Sequence, residues 1–89
     1  MFNYQKYGTL VKRRRKLMGY GAQHLQENLE RMCRERFERD YMYRIEGAHR
    51  EVSVGQFVCI NTLLWGSAAP VEVMKECLSG QPLKEYLVR

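Results

Sequence analysis

The segment SVGQFVCINTLLWG, Ser53 to Gly66, does most to restrict how this chain folds. Its apolar residues Val54, Phe57, Val58, Ile60, Leu63 and Leu64 follow a helical period and make the most apolar run in the sequence. Ser53 and Gln56 stand at the spacing of a capping box, in which two side chains satisfy backbone amides left open at a helix start, and Gly66 supplies the stop. A helix this apolar must be covered by other elements, so it is expected to form the centre of the core.

The remaining segments offer helical partners for it. Tyr7, Leu10, Val11, Leu17 and Met18 fall on one arc and predict a helix over 7–18, stopped by Gly19. Leu25, Leu29, Met32 and Cys33 predict a second from about Ala22 to about Arg34. A third is predicted over 38–46, with Met42 and Ile45 inward, Phe37 as a further anchor and Gly47 just past its end. Pro70 suits the first turn of a fifth, which turns Val71, Val73, Met74, Cys77 and Leu78 inward. In the tail LKEYLVR, Leu83, Tyr86 and Leu87 stand at i, i+3 and i+4, as a last helical turn or a partner-facing arm. There is no internal repeat and no strand alternation, so the expected fold class is all-α, with a core over 1–66 and a C-terminal helix and tail over 67–89.

At 89 residues the chain has room for a modest core but not for a large substrate cleft. A net charge of +5 and a pI near 9.3 point to a polyanionic partner, nucleic acid ahead of an anionic membrane surface. No apolar run approaches the roughly 20 residues of a bilayer span, and MFNYQKYGTL lacks the apolar centre of a signal peptide, so a cytoplasmic protein is expected. Cys33, Cys59 and Cys77 each sit in an apolar helical pattern and read as reduced core thiols. With His24 and His49 they make no metal-ligand spacing, so no metal or cofactor is expected. No nucleophile and base arrangement, phosphate loop or carboxylate pair is evident, which disfavours an enzyme.

One segment mixes charge and apolar periodicity in an unusual way. In RERFERDYMYRIEG, Arg34 to Gly47, eight of fourteen residues are charged, yet Phe37, Tyr41, Met42 and Ile45 share one side of a helix. A helix that reads DNA needs this composition, because one face must be buried for rigidity while the other enters a groove lined by phosphates and base edges. Arg39 and Arg44 on the outer face are the best candidates for bidentate contact with guanine. Asp40 is a weaker candidate, for cytosine or for orienting an arginine, as is Tyr43, for a thymine methyl or a phosphate. Taken by itself, such a charged face is more often simply solvated. From the basic run KRRRK, Lys12, Arg13 and Lys16 point outward as phosphate-contact candidates, joined by Gln23, Arg36, His49 and Arg50.

Two stretches, YGTLVKRRRKLMGYGAQHLQENL and YMYRIEGAHREVSVGQFVCINTLLWG, resemble the first two helices and the recognition-helix half of the Cro and phage-repressor type, the XRE family. The match covers roughly residues 7–66, and its most specific part is RIEGAHREVSVGQFVCINTLLWG. The resemblance implies a five-helix lambda-repressor-like helix-turn-helix fold, and an ion pair between Arg15 and the Glu46 that closes the recognition helix. It further implies a transcriptional regulator, more often a repressor, that binds a double-stranded operator as a homodimer and is typical of bacteria, phages and other mobile elements. The dimer surface would draw on Trp65, Val71, Met74, Leu78, Leu83, Tyr86 and Leu87, for which internal packing is the equal alternative. The alternative is an antitoxin or a subunit that needs a protein partner to bind DNA. Three positions depart from the family pattern. The turn between the second and third helices is about six residues longer, Gly21 and Ala22 replace a capping hydroxyl and a phosphate-contacting Gln, and Arg14 takes an aliphatic position with only its stem expected to pack.

Overall fold

The computed structural model describes residues 2–68 and 70–77, with the backbone alone at 72 and 76. Its five helices are α1 (Tyr4–Leu17), α2 (Ala22–Cys33), α3 (Tyr41–Glu46), α4 (Val54–Trp65) and α5 (Val71–Cys77). No strand occurs among the described residues, so the fold is all-α. α1 packs against α3, α4 and α5, and α2 packs against α3 and α4. The short α3 is therefore wedged against both α1 and α2.

Local sequence signals explain most of the helix ends. α1 begins one turn earlier than its apolar arc because the Asn3 side chain accepts from the Lys6 amide at 2.9 Å. Ser53 and Gln56 form the full capping box at α4, and Gly66 closes that helix in the left-handed conformation. α2 ends instead on Arg34, a non-glycine residue at φ 56°. At the end of α3 the left-handed residue is Ala48, φ 59°, and not Gly47, which lies at φ −90°.

The core is built from Tyr7 and Val11 of α1, Leu25 and Leu29 of α2, Tyr41, Met42 and Ile45 of α3, Ile60 and Leu64 of α4, and Val73 and Cys77 of α5. The expected apolar arcs are trimmed at helix ends, where no neighbour reaches. Leu17 is 75% exposed at the end of α1, Val54 is 81% exposed at the start of α4, and Val71 is 53% exposed at the start of α5. Both polar atoms of the buried Asn61 on α4 are bonded: Oδ1 accepts from the Tyr7 hydroxyl at 2.8 Å and Nδ2 donates to the Ala68 carbonyl at 3.0 Å. Arg14 does more than pack its stem, since its Nε donates to the Leu64 carbonyl at 2.8 Å and so caps the end of α4. The Asn3 amide donates to the Cys77 carbonyl at 2.9 Å and ties the start of α1 to the end of α5.

Burial makes this core sensitive to alkali. It pushes the Tyr7 phenol well above its ordinary value of 10.0 and the Tyr41 phenol up to about 12. Burial, followed by hydrogen bonding with Cys59, pushes the Cys33 thiol from 9.0 up to about 12. The unfolded chain loses these protons first, so the native state holds more protons above the ordinary values. Stability is thus complete below about pH 9, starts to fall as the unfolded Cys33 ionises, and falls faster beyond the ordinary tyrosine value. Urea midpoints measured from pH 7 to 11 should be flat and then decline; a flat profile throughout would mean that these groups titrate alike in both states.

Candidate nucleic-acid interface

α3 is only six residues long, too short to be stable alone, so its position depends on what grips it. From α1, Gly8, Val11 and Arg15 present one face, being spaced three and four residues apart. Gly8 lets the helices approach so closely that an added Cβ would lie 2.6 Å from the carbonyl oxygens of both Ile45 and Glu46. Arg15 then clamps the end of α3: its Nε donates to Glu46 Oε2 at 2.6 Å and its Nη2 to Oε1 at 2.9 Å. Its Nη1 donates to the Tyr20 carbonyl at 2.9 Å. The side chains of this pair are 9% and 4% exposed. Hydrogen bonding to Glu46 holds the Arg15 guanidinium above its ordinary value and outweighs the opposing effect of burial.

From α2, Gln26 grips the other end. Its Nε2 donates to the Glu38 carbonyl at 3.1 Å, and its Oε1 accepts from the Met42 amide at 3.2 Å. One buried amide thereby joins the residues on either side of the α3 start. The Glu30 carboxylate accepts from the Phe37 amide at 2.9 Å, and the Phe37 ring stacks on Tyr41 with centroids 4.4 Å apart. The long connection over 34–40 is therefore pinned at Phe37 and Glu38. Periodicity singles out neither Gly8 nor Gln26. The available signals were a glycine inside a helical pattern and a polar residue beside the apolar arc of α2.

The candidate reading residues are placed differently from the sequence expectation. Tyr43 and Arg44 are exposed on α3, opposite the buried Tyr41, Met42 and Ile45. Arg39 and Asp40 are exposed too, but they precede the helix, which starts at Tyr41 and not at Glu38. Asp40 takes the left-handed conformation at φ 62°, and its side chain makes no capping hydrogen bond. That conformation breaks the helical path, so Arg39 and Arg44 do not share one helix face. Phe37 anchors the connection and not the helix.

No protein-family model, curated protein or solved structure matches this chain.

Lys12, Arg13 and Lys16 are exposed on α1, as is His49 after α3. Gln23 is exposed in the first turn of α2 and lines an open groove of about 650 Å³. Arg31, Arg34 and Arg36 face that groove together with Glu27, Glu30 and Glu35, so Arg36 stands among balanced charges and not in a basic strip. Arg50 is already engaged within the protein, with Nη1 2.7 Å from a Glu38 carboxylate oxygen. Of the expected dimer residues, Trp65 packs partly against the core, Met74 is half-buried and Val71 is exposed. Leu78, Leu83, Tyr86 and Leu87 lie outside the described residues. Among the described residues, no helix is long and apolar enough to cross a membrane.

Proposed function

We propose that this protein is a sequence-specific DNA-binding transcriptional regulator of the helix-turn-helix type, with α3 as its reading element. The observation that carries this reading is the two-sided grip on α3: Arg15 and Glu46 at one end, Gln26 at the other, with Tyr43 and Arg44 left facing outward. A six-residue helix is about 9 Å long, enough to place its first turns against base edges in a major groove about 12 Å wide. Arg44 is the main base reader, with Tyr43 beside it. Arg39 and Asp40 approach the groove edge from the connection. Lys12, Arg13, Lys16 and His49 contact phosphates and fix the register. The net charge of +5 supports attraction to a polyanion. Operator binding as a homodimer, with repression as the outcome, belongs to the same proposal.

Selection of bound fragments from random duplex DNA followed by titration tests it. Arg44→Ala should cost about 1–3 kcal/mol on the selected site and much less on random DNA. Lys12→Ala should weaken both alike and flatten the salt dependence by about 0.9 log units. Equal losses for both variants would remove Arg44 as a reader. The competing reading, an antitoxin or a subunit that binds DNA only with a partner, draws support from exposed Val54 and Val71 and from Gly21, which gives α2 no side-chain cap. Binding that appears only on adding a second protein would favour it.

A further inference from the structure

Arg50 lies in the loop between α3 and α4, beside the proposed reading helix, yet its cationic head is turned onto the protein. Its Nη1 is 2.7 Å from a Glu38 carboxylate oxygen, and its Cζ lies 5.1 Å from the centroid of the Tyr41 ring. Glu38 is fixed by its backbone, whose carbonyl accepts from both Gln26 Nε2 and the Tyr41 amide. Tyr41 is fully buried. The cluster is gripped but poorly satisfied: Glu38 Oε1, the Tyr41 hydroxyl and Arg50 Nε are shielded from water and form no well-oriented hydrogen bond. The Arg50 and Glu38 side chains remain 38% and 36% exposed, so the pair is within reach of a competing anion. A half-exposed ion pair with unmet hydrogen-bonding capacity gives way readily to a better acceptor.

We propose that Glu38 is a built-in brake on DNA binding, occupying Arg50 in place of a backbone phosphate until a phosphate displaces it. This inference rests on the DNA-binding reading above. In the free protein Arg50 is neutralised; on DNA its guanidinium moves from the carboxylate to a phosphate and adds one contact. Glu38 thus tunes affinity without touching DNA. The lengthened connection acquires a purpose, because it carries Glu38 to the α3–α4 loop.

The test is a titration of a random-sequence DNA duplex over a range of salt concentrations. It compares wild type, Glu38→Gln, Arg50→Ala and the double variant, with Glu51→Gln as a control for charge alone. Glu38→Gln should bind several-fold tighter than both wild type and Glu51→Gln with an unchanged salt slope, because Arg50 reaches the phosphate in both complexes, whereas Arg50→Ala should flatten the slope by about 0.9 log units. The double variant should gain over Arg50→Ala no more than Glu51→Gln gains over wild type, because the larger gain depends on a freed Arg50. Binding by Glu38→Gln with none by wild type would also support the brake, in a stronger form. If wild type binds and Glu38→Gln gains no more than Glu51→Gln, or gains equally without Arg50, the brake is overturned while the DNA-binding reading stands. If none of the five proteins binds, both fall.

Discussion

With Glu46 replaced by alanine, the free energy of unfolding falls by about 3 kcal/mol, the lower part of the range for a broken buried ion pair. The lower part applies because Arg15 retains one hydrogen-bond partner, the Tyr20 carbonyl, although the two side chains are only 9% and 4% exposed. The loss arises mainly from Arg15, which keeps its bond to the Tyr20 carbonyl while Nε and Nη2 lose their acceptors in a place water reaches poorly. Urea denaturation followed by circular dichroism gives the number. The double change Arg15→Met with Glu46→Leu should restore much of the stability, because it removes both charges together. A Glu46→Ala protein within 1 kcal/mol of wild type would show that the pair is solvated and that α3 is held by packing alone.

Gly8→Ala sets two effects of opposite sign against each other. Helix propensity alone predicts a gain of about 1 kcal/mol for alanine inside α1. The close crossing predicts a larger loss, since the new methyl would lie 2.6 Å from the carbonyl oxygens of Ile45 and Glu46, which are backbone atoms unable to rotate away. α1 and α3 must then separate, pulling Arg15 from Glu46, and we expect a net destabilisation of about 1–3 kcal/mol. Amide shifts measured on the variant should change most around Ile45 and Glu46. A variant more stable than wild type would mean that the crossing is looser than described.

These two residues also mark the boundary of what could be read from the sequence. Arg15 and Glu46 were paired through a family resemblance, and they do meet. Gly8 carried no such label, because its role depends on the carbonyls of a helix more than thirty residues away. The capped, glycine-stopped α4 was legible because all its signals are local. The start of α3 was not: the charges at Glu38, Arg39 and Asp40 are compatible with a helix, and only the left-handed Asp40 reveals the break. Val54 and Leu17 obey the helical period yet face solvent, because periodicity names a face without saying how far the neighbour extends. The sequence places Arg50 among the phosphate-contact candidates, and nothing in its spacing shows that Glu38 stands within reach of it.

The bond between the Asn3 amide and the Cys77 carbonyl brings the two ends of the helical unit side by side. A short peptide bridge could therefore join them covalently, and new ends could be opened in the exposed chain at 34–36. In such a rearranged polypeptide α2 would become the last helix and the residues pinned to Gln26 would stand near the first. Whether that version assembles would separate the order in which the pieces are strung from the way they fit.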